Sequence, residues 1–261
     1  EGEVMKTQFK GFKKMNKIYK ISLIAASLVI MSCEIPADLN DNPNEITVSD
    51  VDANLFLNGA QLANVIVQVS HMNRISGMYS GQLVGYASLY SNIYGYSLST
   101  VESNDEWSNA YVGVVANTRH IQTSAPDDKL LVGITKVLEA HAMSTLAILT
   151  GDVPFSEVLS DKDSPKFDDQ KAVLDGCSAL LSDAITTLSG ATSRSEAYDI
   201  YYGGDKDKWI AAAYTLKARI ALIKKDYASA LTHAGMGISS SAGDMMYIPR
   251  GDAATPNGDK N

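Results

Sequence analysis

Only two cysteines, Cys33 and Cys177, occur in 261 residues, so no disulfide framework holds this chain together. Positive charge is scarce: 22 Lys and Arg stand against 30 Asp and Glu, a formal net charge of −8. Six of the lysines lie in the first 32 residues, leaving 16 basic and 28 acidic residues in the remainder. A chain so acidic, with no basic stripe, argues against a nucleic-acid partner and against an electrostatic hold on a membrane surface. Catalytic signatures are missing as well. There is no G-x-S-x-G elbow, H-E-x-x-H pair, Walker loop or dinucleotide fingerprint. The four histidines, His71, His120, His141 and His233, lack metal-ligand spacing, and no C-x-x-C pair is present. Neither cofactor nor metal is expected, and no enzymatic activity. A hydrolase whose two acids lie far apart in sequence is the class that motifs leave open. Asp38 to Asn44 looks like a calcium loop, but Pro43 stands where an EF-hand requires Gly and Ser49 where it requires a bidentate Glu.

Long apolar runs are equally rare. Ile21 to Met31 spans eleven residues, too short to cross a bilayer comfortably and suited to a signal-peptide core. Lys13, Lys14, Lys17 and Lys20 supply its positive flank, and Ile30-Met31-Ser32-Cys33 resembles a bacterial lipobox, with Met31 an unusual occupant. Cys33 is therefore expected to be lipidated, and the residues before Met15 to be an upstream extension. Glu34 to Asp50 is polar, with Pro36 and Pro43, and reads as a tether. The organisation expected is an extension and signal peptide over 1–32, a lipidated tether over 33–50 and one helical domain over 51–261.

That domain reads as all-α. Trp209, Ala213, Leu216, Ile220 and Ile223 recur at helical steps, Lys224-Lys225-Asp226 interrupts them, and Tyr227, Ala230, Leu231 and Ala234 begin a second stripe. Small residues such as Ala218 and Ala221 allow close approach, which is the grammar of a tetratricopeptide-like hairpin; an ordinary helical hairpin fits this stretch equally. Upstream, Leu55, Leu62, Ile66 and Val69 predict a buried stripe on a helix over 51–75, with His71 a capping or surface residue near its end. Ser103 to Glu106 reads as a capping box, opening a helix on which Trp107 and Tyr111 share a core face. Pro126-Asp127-Asp128 opens a helix buried through Leu131, Ile134, Leu138, Thr145 and Leu149, with His141 a hydrogen-bonded core residue. A further helix buries Val173, Leu180/Leu181, Ala184 and Leu188, and places Cys177 as an inert thiol. Asp152 and Glu157 have the look of paired carboxylates, but Gly151 and Pro154 mark a structural turn.

One stretch is different. Between Tyr79 and Tyr96, five tyrosines are interleaved with Gly81, Gly85 and Gly95, which predicts irregular backbone. It is the least core-like aromatic cluster in the chain.

Several segments carry a family resemblance. The run D-I-Y-Y-G-G-D-K-D-K-W-I from Asp199, continued by L-K-A-R-I-A-L from Leu216, resembles a signature of the SusD/RagB family of Bacteroidetes outer-membrane lipoproteins. G-D-V-P-F-S-E-V from Gly151, F-D-D-Q-K-A-V-L from Phe167 and L-N-D-N-P-N from Leu39 are similar to family segments, in the family's order. The resemblance implies an all-α superhelix of tetratricopeptide-like hairpins with long irregular loops. It implies a lipid-anchored cell-surface protein of the outer membrane that binds oligosaccharide and delivers it to a SusC-like TonB-dependent transporter. Members continue beyond the W…L-K-A-R helix, so the chain is expected to be an N-terminal portion. Within it, Tyr86, Tyr90, Tyr94 and Tyr96, with Asn92, are the expected ligand residues, because a tyrosine face suits a sugar while its hydroxyl stays available. The other role open to these rings is a clasp on the helical body. A peptide-binding member of the same family, or a tetratricopeptide-type protein scaffold, are the alternative functions.

Overall fold

The structure, a computed structural model, describes residues 52–160 and 162–248. The chain divides into two units, Glu1–Asp50 and Val51–Asn261. The first, with the expected signal peptide, Cys33 and the tether, lies outside the described residues, as does the tail after Ile248.

The fold is all-α, as expected. Among the described residues no strand forms, and an isolated antiparallel bridge joins Val153 to Asp168. The main helices are α1 (Ala53–Val69), α2 (His71–Tyr79), α3 (Ser88–Tyr94), α4 (Asn104–Ser108), α5 (Asn117–Ser124), α6 (Lys129–Thr150), α7 (Gln170–Ser189), α8 (Lys206–Ile223) and α9 (Tyr227–Ala234). A π-helical segment, Asn109–Ala116, links α4 to α5. Among the described residues, five of the chain's 30 acidic residues stand at the N-cap position of a helix. Asp52, Asp128, Asp169, Asp205 and Asp226 each accept a backbone N–H of the first turn of α1, α6, α7, α8 and α9. Such a cap is worth about 1 kcal/mol and fixes where each helix begins.

Helix α6 is the hub. Sixteen of its 22 residues are buried, from Leu130 to Ala147. It is long and apolar enough to cross a membrane, but here it is the core helix. Glycine at 133 lets α7 come close, because a Cβ there would collide with the buried side chain of Leu188. Gln170 Nε2 donates to Ala147 O at 2.8 Å, and Lys136 pairs with Asp183 at 2.8 Å, so α6 and α7 run antiparallel. Lys217 reaches Ser182 and Lys224 pairs with Asp175, which sets α8 antiparallel to α7 in turn. The buried stripe of α7 contains Val173, Cys177, Leu181, Ala184 and Leu188, as its spacing predicts, with Leu174 added and Leu180 only half-buried. Gly151 ends α6 at φ +89°, and the turn after it is structural. Asp152 accepts Gln170 N, while Glu157 pairs with Lys162 and accepts Lys166 N. Asp168 accepts Ser156 N at 2.7 Å, Ser156 Oγ and Phe155 N, bonds that hold its pKa down at about 2.

Four expectations are corrected. The helix over 51–75 breaks at Ser70, and Leu55, Ile66 and Val69 of its predicted stripe are exposed. Its buried face carries Leu57, Ala60, Ala63 and Val67 together with Gln61 and Asn64. The polar pair is affordable because both amides are satisfied. Gln61 bonds Asp199 and Ile200 N, and Asn64 meets His141 Nδ1 at 3.2 Å. The second stripe of the hairpin also faces outward: α9 buries no residue, Leu231 is 77% exposed, and Ile223 at the end of α8 is exposed too. No capping box forms at Ser103, whose side chain makes no cap bond. Glu106 instead turns inward, fully buried, and accepts Met72 N at 2.8 Å and the Ser70 hydroxyl, capping α2. Finally, the tyrosine stretch contains the short helix α3 within its irregular backbone.

Candidate functional site

The signature from Asp199 to Trp209 is an internal clasp. Asp199, 5% exposed, accepts Trp209 Nε1 at 2.7 Å, Gly204 N at 2.8 Å, Tyr201 N at 3.1 Å, Tyr202 N at 3.2 Å and Gln61 Nε2 at 3.1 Å. The rings of Tyr201 and Tyr202 meet Trp209 edge-on at 6.0 and 5.1 Å. Burial pushes the Tyr201 hydroxyl up to about 12. This cluster ties α1, α8 and the loop between α7 and α8 together.

An open concavity that holds part of the tyrosine cluster lies elsewhere, over α2 and α3. A cavity of about 320 Å³ is lined by Arg74, Met78, Leu83, Val84, Gly85, Tyr86, Ala87 and Tyr90, at the lower end of the range for small-molecule sites. Its floor is a satellite core of Ile75, Met78 and Ile93, with Met72, Tyr79 and Tyr90 packed on it. Gly85 is required at the wall, since a Cβ there would strike the carbonyl of Tyr90 and the sulfur of Met78. Glu106, reaching from α4 to the start of α2, fixes this platform to the body of the fold.

The expected ligand residues separate into two groups. Tyr86 and Tyr90 line the cavity. Tyr86 is 89% exposed, whereas the Tyr90 hydroxyl accepts a hydrogen bond from Arg74 Nε at 2.6 Å and lies 3.4 Å from His71 Nδ1. Tyr96, 76% exposed, stacks on Tyr79 with centroids 5.0 Å apart and an interplanar angle of 22°. Its φ of +62° is costly for an aromatic residue. Asn92 and Tyr94 are exposed on α3 and outside the cavity lining. The rings are not a buried clasp, apart from the half-buried Tyr90. Arg74 and Met78 were not singled out from the sequence; their i, i+4 spacing on one helix ahead of the tyrosines was the available signal.

His71 is neither a cap nor a surface residue. It is half-buried at the start of α2, and its Nε2 lies 2.5 Å from Glu102. His141 packs in the core, where burial, reinforced by Arg219, pushes its pKa down to about 3. Cys177 is buried, and desolvation followed by the charge of Glu139 pushes its thiol up to about 12. Among the described residues no group of three or more His, Cys, Asp or Glu side chains is gathered as metal ligands would be.

Comparison with known proteins places this architecture. No curated protein matches the chain. Among solved structures, a SusD/RagB family protein from Bacteroides thetaiotaomicron is 22% identical with a TM-score of 0.68, covering 75% of this chain and 44% of that one. A second SusD-like protein from the same organism gives 22% and 0.63, covering 74% and 43%. A chitin-binding SusD homolog from Flavobacterium johnsoniae gives 21% and 0.54, covering 70% and 43%. The chain thus spans less than half the length of each of these structures. The family model described as starch-binding, associating with the outer membrane, matches residues 43–249, and the chain belongs to this SusD-like family.

Proposed function

We propose that the chain is the glycan-binding portion of a cell-surface lipoprotein, anchored through Cys33, that delivers oligosaccharide to a SusC-like TonB-dependent transporter. The observation that carries the reading is an exposed, tyrosine-lined cavity in a chain of this family. Chemically, Tyr86 offers an apolar face to the C–H side of a sugar, and the Tyr90 hydroxyl and Arg74 offer polar contacts beside it. Tyr96, Tyr94 and Asn92 lie close by in sequence and extend the ligand surface outward.

Calorimetric titration of the full chain with maltotriose, chitotriose and uronate oligosaccharides tests this. Covering roughly 50 Å² of one ring is worth on the order of 1 kcal/mol, about a fivefold change in affinity. Tyr86→Ala should therefore weaken binding about fivefold and leave the melting temperature in place. A chain that binds none of these sugars but binds peptides favours the peptide-binding alternative. Capture of a helical protein partner with no glycan favours the scaffold. For delivery, the lipidated protein should co-purify with the product of an adjacent transporter gene, and Cys33→Ala should release it from the membrane. Lone monomers in gentle detergent, with that gene expressed, would count against a transporter complex.

A further inference from the structure

The cavity has an unbalanced charge. Arg74 is the charged residue among those lining it. The acids nearby are occupied elsewhere. Glu102 accepts from His71 Nε2 at 2.5 Å and from Ser99 Oγ at 3.1 Å, and Glu106 is buried on the N-terminus of α2. The hydrogen bonds form one connected network. Arg74 Nε donates to the Tyr90 oxygen, the Tyr90 hydroxyl lies 3.4 Å from His71 Nδ1, and His71 Nε2 lies 2.5 Å from Glu102. Only one of the five N–H donors of Arg74 is used in it. The two terminal nitrogens have no partner among the described residues, and their guanidinium sits 5.8 Å from the centre of the Tyr90 ring. A planar fork with both tips free, held in orientation by its third nitrogen, matches a carboxylate in bidentate geometry.

We infer that this cavity selects a sugar bearing a carboxylate, such as a uronic acid, with the acid on Arg74 and the ring against Tyr86. The inference rests on the glycan reading and narrows it to an acidic substrate class. A neutral sugar still covers the tyrosine but leaves the fork to water, so the difference between the two is the charge-assisted pair alone. Because Arg74 is exposed, that pair is partly screened, and the preference should be about tenfold at low ionic strength and shrink with salt.

The test titrates the full chain with trigalacturonate and with its carboxyl-reduced counterpart, which keeps ring and linkage but replaces each acid by a primary alcohol. The acid form should bind about tenfold tighter at low salt, the gap should narrow in 0.5 M NaCl, and Arg74→Gln should abolish it. Arg74→Lys, which keeps the charge but not the fork, should retain part of it. Tyr86→Ala should weaken both forms alike. Equal affinities, a preference that survives Arg74→Gln, or binding of maltotriose or chitotriose without trigalacturonate overturns the acidic class and leaves the glycan reading standing. Binding of no sugar at all overturns both.

Discussion

Asp199→Asn is the sharpest test of what holds this fold. The change keeps shape and volume but replaces one carboxylate oxygen by an NH2 group, which cannot accept. On one oxygen, Asp199 receives Gln61 Nε2, Tyr201 N and Tyr202 N; on the other, Gly204 N and Trp209 Nε1. The amide orients to keep the first three, so two buried donors are left facing another donor. Each costs about 1–3 kcal/mol, and the remaining bonds weaken from charged to neutral, for a total of about 3–5 kcal/mol. Against a typical stability of about 5–15 kcal/mol, that is a large loss. Trp209→Phe removes one of the two stranded donors. In that background Asp199→Asn should cost about 1–2 kcal/mol less than in the parent, a coupling that a double-mutant cycle isolates. Urea unfolding followed by circular dichroism at 222 nm measures all four corners, and an unchanged slope shows that the shift is in stability. A cost below about 1 kcal/mol for Asp199→Asn, or strict additivity with Trp209→Phe, would refute the clasp.

Gly133→Ala should destabilise by about 1–3 kcal/mol despite the better helix propensity of Ala, because the buried Leu188 cannot yield; a melting temperature at or above the parent's would show that α6 and α7 have room. His141 is depressed from its ordinary value to about 3, so the unfolded chain takes up the proton first, and stability present above about pH 6.5 is lost as pH falls towards 3. By pH 5 the loss from this group is at most about 2 kcal/mol, and His141→Asn should flatten that part of the urea midpoint–pH profile. Cys177, raised to about 12, should remain unlabelled by a thiol reagent at pH 8 until urea unfolds the chain; rapid labelling of the native protein would place it at the surface.

Local grammar carried far in this protein. Aspartate before each of α1, α6, α7, α8 and α9, and glycine after α6, act within a few residues, so helix type and most boundaries follow from neighbouring positions alone. Periodicity likewise identified most of the buried stripe of α7, that of α8 up to Ile220, and the burial of Cys177, because a helix flanked on both sides offers little choice of face. Between Tyr79 and Tyr96 the glycines pointed to irregular backbone, and Tyr86, Tyr94 and Tyr96 stand exposed on it. Tertiary structure decided the rest, wherever a polar group found its partner far along the chain. In α1, Gln61 and Asn64 turn inward to Asp199 and His141, 138 and 77 positions away, and Leu55, Ile66 and Val69 turn out as a consequence. Glu106 has the spacing of a capping box with Ser103 yet caps α2, 34 positions back at Met72. Arg74 meets the cavity beside Tyr90, a residue of the next helix that accepts its Nε. A hydrophobic period is blind to such pairs, since a satisfied buried amide costs little and an unsatisfied one several kcal/mol, and which of the two holds depends on residues no local window contains.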